Sequence, residues 1–108
     1  MAKFHGNDKR NSNPHHLYFI GDKKEDDTFK FGISQEEIDE DDLSDRIREQ
    51  VDYANLIVGW IRFFGKIILR NIPGNARARK IEDEFIQGYF RKNGRYPRGN
   101  RDRDTNDK

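Results

Sequence analysis

Two short runs rich in aromatic and β-branched residues, His16-Leu17-Tyr18-Phe19-Ile20 and Thr28-Phe29-Lys30-Phe31-Gly32-Ile33, stand on either side of a polar stretch, Gly21-Asp22-Lys23-Lys24-Glu25-Asp26-Asp27. Runs of that length and content form strands, and a polar turn between them makes an antiparallel hairpin. Successive strand residues point to opposite faces. Phe29, Phe31 and Ile33 are therefore expected on one face, and Thr28, Lys30 and Gly32 on the other.

The segment from Gln35 to Asp45 holds seven acids and no base, so it reads as a solvated loop. It leads to a helix start at Ser44 or a nearby aspartate. Helix one is expected over about Leu43 to Asn55. Its residues Leu43, Ile47, Val51 and Ala54 follow the helical period toward a core, which leaves Arg46, Gln50 and Tyr53 together on a neighbouring stripe. The residues around Gly59 and Trp60 fit helix or strand. Phe64 to Ile72 has the β-branched content of a third strand, ended by Pro73-Gly74. Asn75 is a plausible N-cap for a second helix over about Ala76 to Lys92, and Gly94, Pro97 and Gly99 break any regular element beyond it. The order strand, strand, helix, strand, helix predicts an α+β domain, a three-stranded antiparallel sheet flanked by helices. One domain over residues 15–100 is expected, with 1–14 as a flexible arm and 101–108 as a disordered polar tail.

A charged fraction of 38% resembles that of a disordered chain, but thirteen aromatics with the aliphatic residues between them suffice for a modest core. There is no cysteine, so a disulfide framework and thiolate zinc are both excluded, and any metal must sit on oxygen or imidazole. No run approaches the ~20 apolar residues that span a bilayer, so no membrane association and a cytoplasmic location are expected. The net charge of +1 conceals a polarity: residues 22–45 hold eleven acids and three bases, whereas 62–108 hold thirteen bases and six acids. A basic half suits a polyanionic partner, although a charge run alone is as often a solvated face.

In helix two the apolar stripe is Ala78, Ile81, Phe85, Ile86 and Tyr89, and Glu82 lies within it. A carboxylate at the edge of a core needs a cation, a base or a proton, because burying it unpaired costs several kcal/mol, roughly. It equally fits a marginal glutamate that reaches solvent or pairs with an arginine. His15 and His16 are adjacent on a strand and so make a poor chelate. His16 is kept as a phosphate contact or second general base. Asn100, after a glycine, either bonds a site residue or caps the fold.

His16-Leu17-Tyr18, Lys30-Phe31-Gly32, the helix residue Arg46, the run Ala78-Arg79-Lys80-Ile81-Glu82-Asp83-Glu84-Phe85-Ile86 and Pro97-Arg98-Gly99-Asn100 resemble the GIY-YIG nuclease family in order and spacing, over about residues 15–100. The resemblance implies that Tyr18 and Gly32 are the tyrosine and glycine of the first two motifs, Arg46 the helix arginine, Glu82 the metal-binding glutamate and Asn100 the terminal asparagine. The second motif departs from the pattern, with Lys30 in place of the usual tyrosine, as in some restriction-type and toxin-type members. Gln50 falls where some members carry histidine.

The resemblance implies a metal-dependent endonuclease that hydrolyses DNA phosphodiester bonds. Its site would gather Tyr18, Lys30, Arg46, Glu82 and His16, supported by Gly32 and Gln50, with Mg²⁺ or Mn²⁺ on Glu82. In that mechanism Arg46 neutralises the phosphorane and Tyr18, acidified by Lys30 or the metal, takes a proton from water. Arg48, Arg77, Arg79, Lys80, Arg91 and Lys92, with Arg95 and Arg98, would track the phosphates of DNA. The chain is expected to be a monomer or weak dimer. Two alternatives stand beside this reading. One is a catalytically silent nucleic-acid-binding module. The other is suggested by Lys30-Phe31-Gly32-Ile33-Ser34, Gln50-Val51, Asn55 and Asn71-Ile72-Pro73, which look like nuclease toxin domains of bacterial polymorphic toxins. A toxin domain would be secreted or delivered and met by an immunity protein. The chain starts with its own Met, which leaves a stand-alone enzyme and an excised toxin domain equally open.

Overall fold

A computed structural model of the chain describes residues 13–100. The tail from Arg101 and all of the N-terminal arm except Asn13 and Pro14 lie outside the described residues. The elements run β1 (Pro14–Asp22), β2 (Asp27–Ser34), α1 (Asp45–Val58), β3 (Phe63–Pro73), α2 (Asn75–Asn93) and a 3-10 turn (Arg98–Asn100). The three strands form one antiparallel sheet in the order β2-β1-β3, which is the α+β arrangement expected from the sequence. Among the described residues no helix is long and apolar enough to cross a membrane.

The central strand β1 supplies both faces of the core because its residues alternate in direction. Tyr18 and Ile20 pack with Ile47 of α1 and Phe63 of β3. On the opposite side Leu17 packs with Ile72 and Ala78, and Phe19 joins Phe31, Ile86 and Tyr96. Each helix thus covers one face. The apolar stripe of α1 faces inward as its period predicts, with Ile47 fully buried and Leu43, Val51 and Ala54 packed beside it. In α2 the buried apolar residues are Ala78 and Ile86, with Ile81 packed against Ala78, while Phe85 remains 36% exposed.

Alternation fails at one place. Ile20 pairs with Lys30, but the next residue, Gly21, pairs with Thr28. The bulge leaves Phe29 opposite no partner and turns it away from Phe31 and Ile33, into the α1-side core, where its ring lies 5.0 Å from that of Phe63. Lys30 and Gly32 keep the expected face. The region around Gly59 is resolved as a helix end: α1 continues to Val58, and Gly59 takes φ 82° while its N–H bonds the Asn55 carbonyl. The Asn55 side chain then holds the entry to β3, accepting from the Arg62 and Phe63 N–H groups and donating to the Phe63 carbonyl. At α2 the cap lies one residue earlier than expected, on Gly74, and Asn75 is the first helical residue.

Where the three strands' ends meet the C-terminal turn, the buried Asp22 accepts two hydrogen bonds from Arg62 at 2.7 Å and one from Arg98 at 2.6 Å. Arg62, followed by Arg98 and the Lys24 and Glu25 N–H groups, overcomes burial and holds the carboxyl far below its ordinary value of 3.8. Depression of the folded-state value means that this contribution is present above the ordinary carboxylate range and is lost as pH falls below it. Asp22→Asn should lower the thermal midpoint by roughly 10 °C or more, because removing one partner strands a charge and each kcal/mol is worth ~4–8 °C in a domain of this size. Calorimetry at neutral pH checks this. The difference from wild type should shrink as the pH is brought below about 4.

Candidate active site

Arg46 and Gln50 lie one turn apart on α1, and Arg79 and Glu82 one turn apart on α2. Strand β2 is an edge of the sheet, and over its outer half these two pairs come together. A cavity of about 270 Å³ is lined by Tyr18, Lys30, Phe31, Gly32, Ile33, Arg46, Gln50, Arg79, Glu82, Gly99 and Asn100. Of the residues singled out in the sequence, Tyr18, Lys30, Gly32, Arg46, Gln50, Glu82 and Asn100 meet here, and Arg79 joins them.

Each side chain has a local reason for its place. Gly32 sits opposite Tyr18 in the strand register, and a Cβ on it would collide with the Tyr18 ring, so only glycine leaves the phenol room. The Tyr18 hydroxyl donates to Gln50 Oε1 at 2.9 Å. Glu82 is half-buried, held between the fully buried Ala78 and Ile86 one turn to either side. Arg79 Nε donates to Asn75 Oδ1 at 3.0 Å. Asn100 pairs with the free edge of β2 as a strand would: its Oδ1 accepts from the Phe31 N–H at 2.7 Å, and its Nδ2 donates to the Phe31 carbonyl at 3.1 Å. Asn100 thus caps the edge of β2 through Phe31, itself a lining residue, and forms part of the cavity wall.

Other expected site residues lie elsewhere. His16 does not line the cavity; it is buried, with Nε2 3.0 Å from Ser44 Oγ. Burial, then His15 and Arg70, lower its pKa against the pull of Glu36, so it is neutral near pH 7. His15 points the other way, toward Asn13 and Asn75, so the two imidazoles do not converge. Arg48 is enclosed by Asp39, Asp41 and Asp45, and Arg95 and Arg98 are engaged by Asp27 and Asp22. Arg48 thus completes an acidic cluster, and Arg95 and Arg98 are each paired with a single aspartate. Arg77 and Lys80 are exposed near Arg79 on the first turns of α2, while Arg91 and Lys92 lie ~18 Å further along it.

Glu36 is a residue that the sequence did not bring forward. Ser44 has committed its hydroxyl to His16, and the Glu36 carboxylate instead accepts the Arg46 N–H at 2.7 Å at the start of α1. One acid among seven in a loop carries no signal of which will cap the helix.

Burial pushes the Tyr18 phenol up to about 12; Arg46 and the Gln50 hydrogen bond pull it down, and Glu82 and Glu36 push it up. The strongest cationic pull on the phenol comes from Arg46. Lys30 lies on the same face of the hairpin, paired across the strands with Ile20, two residues from Tyr18. Tyr18 should therefore remain a neutral phenol at pH ~10, where an ordinary tyrosine is half ionised. An NMR titration of ¹³C-labelled tyrosine reads this directly. Arg46→Gln should move the Tyr18 ionisation higher still.

Glu82 is the one carboxylate in the lining, and among the described residues no group of three or more His, Asp or Glu side chains could hold a metal. That donor set fits Mg²⁺ or Mn²⁺, hard ions that keep most of their waters and complete their shell with phosphate oxygens, and does not fit an all-protein cage. In a larger cavity, about 940 Å³ between the hairpin turn and α2, the acids Asp22 and Asp27 are already bonded to Arg62, Arg98, Tyr89 and Arg95. The smaller one gathers Tyr18, Lys30, Arg46, Arg79 and Glu82. A family model described as URI fold toxin 2 matches residues 8–94. No curated protein and no solved structure matches the chain.

Proposed function

The chain belongs to the URI fold toxin 2 family, and from that premise we propose that it is a nuclease toxin domain that hydrolyses phosphodiester bonds of DNA, by the GIY-YIG type of chemistry. The observation that carries the reading is the cavity in which Tyr18, Lys30, Arg46 and Glu82 converge over the edge of β2.

Glu82 would hold a Mg²⁺ or Mn²⁺ ion, which when bound supplies Lewis-acid polarisation of the phosphate and charge for the leaving oxygen. The protein's own groups do the rest. Arg46 presents a planar guanidinium to the oxygens that gain charge as water attacks phosphorus and the phosphorane forms. Tyr18 donates its O–H hydrogen bond to Gln50 Oε1, so an oxygen lone pair is available to accept a hydrogen bond from the attacking water and orient it. It takes the water's proton only as the phenolate, its own proton first released to solvent, in a complex in which the charges of Arg46 and Lys30 offset the burial that holds the phenol neutral. Arg79, with Arg77 and Lys80 beside it, engages backbone phosphates on the α2 side.

As a toxin, the domain would be delivered to its target and held in check by an immunity protein. The test is plasmid nicking by the purified protein with added Mg²⁺. Supercoiled DNA converted to open circles with Mg²⁺, and left intact with EDTA, supports the reading. Binding of DNA with no conversion at any divalent ion would leave a silent binding module.

A further inference from the structure

The stripe Arg46, Gln50, Tyr53 on α1 does not end at the phosphate-handling cavity. Gln50 and Lys30 are walls of that cavity and also of a second one, about 420 Å³, whose remaining lining includes Phe29, Tyr53, Ile57 and Phe63. The second cavity is almost wholly apolar and within the ~300–1,000 Å³ range of small-ligand pockets. At its mouth Tyr53 and Ile57 are 67% and 66% exposed. A flat aromatic ring left in water beside cationic residues, one turn from Gln50, suits a ligand that carries an anionic group and a planar apolar group together. A nucleotide is such a ligand: its phosphate belongs with Arg46 and Lys30 and its base with Tyr53.

We propose that this pocket receives a nucleobase next to the scissile phosphate, so that the substrate is single-stranded or locally unstacked nucleic acid. The inference rests on the nuclease reading of the adjoining cavity and adds the substrate's form. A base inside a duplex is stacked on both faces and cannot enter a side pocket, whereas a splayed base stacks on an aromatic side chain whatever its identity. The pocket has apolar walls and would bind the base by its faces, so no strong preference among bases is expected.

The test uses full-length Glu82→Ala protein, which binds without turning over, and two short labelled oligomers, one of thymidine and one of abasic units throughout. Both carry the same phosphates. Fluorescence anisotropy at one salt concentration should show thymidine bound roughly tenfold more tightly, since one base stacked on an aromatic residue is worth about that much. Tyr53→Ala should erase the difference, Ile57→Asn should reduce it, and Tyr53→Trp should keep it. Equal binding of the two oligomers, or a difference indifferent to Tyr53, would overturn the assignment. So would a dimer that Tyr53→Ala converts to monomer, since the pocket would then be covered by a second copy. If thymidine is favoured through Tyr53 but no nucleic acid is cut, the nuclease reading falls and the base pocket stands. If duplex is nicked with Mg²⁺ but the oligomers bind alike, only the pocket assignment falls.

Discussion

Glu82→Ala and Glu82→Gln should each lower Mg²⁺-dependent plasmid nicking by roughly 10³-fold or more, as expected for removal of a group that positions several kcal/mol of Lewis-acid stabilisation. Among the described residues Glu82 is the only carboxylate of the cavity lining. Glutamine keeps the volume between Ala78 and Ile86 and removes the charge, which separates loss of metal from loss of packing. Both variants should unfold with wild-type cooperativity. EDTA should silence the wild type, and excess Mg²⁺ or Mn²⁺ should restore it. Full activity in EDTA, or nicking by Glu82→Gln at the wild-type rate, would remove both the metal and the glutamate from the mechanism.

Arg46→Ala should cost ~10²–10³ in kcat with a much smaller change in DNA affinity, the usual value of one charge aimed at a developing oxyanion. Arg46 is exposed on α1 at the cavity, and its N–H is bonded to Glu36, so the side chain can be cut back without dismantling the helix start. Arg46→Lys should restore little, because an ammonium cannot make the two parallel bonds of a guanidinium. If affinity and turnover fell together, Arg46 would be a clamp on bound phosphate, and the silent binding module would gain the support that the nuclease lost.

The candidate site was readable where residue type and spacing are local. Arg46 and Gln50 share a stripe because helical residues four apart do, and Glu82 stood out as a charge inside an apolar stripe, whereas Tyr18 comes opposite Gly32 only through the register shift at Ile20 and Gly21. The unread parts all depend on which of several equivalent groups reach one another. Seven acids and several arginines are interchangeable in a sequence, yet Arg48 closes on Asp39, Asp41 and Asp45, and Glu36 alone reaches the Arg46 N–H. His16 has the chemistry of a base, but burial and Ser44 give it a place in the core.

By itself the sequence determined the element order, the antiparallel hairpin and, except for the exposed Phe85 of α2, the inward faces of both helices, because these follow from period-2 and period-3.6 patterns that short-range backbone geometry imposes. Only the tertiary structure decided the bulge that turns Phe29 to the α1 side, the use of Asn100 as a strand-like cap on β2, and the pull of Arg46 on the Tyr18 phenol. Those are distances between residues far apart in the chain. A phenol's proton affinity depends on how much water is excluded around it and which charge is nearest, quantities that exist only once the sheet edge, both helices and the C-terminal turn have closed on one another.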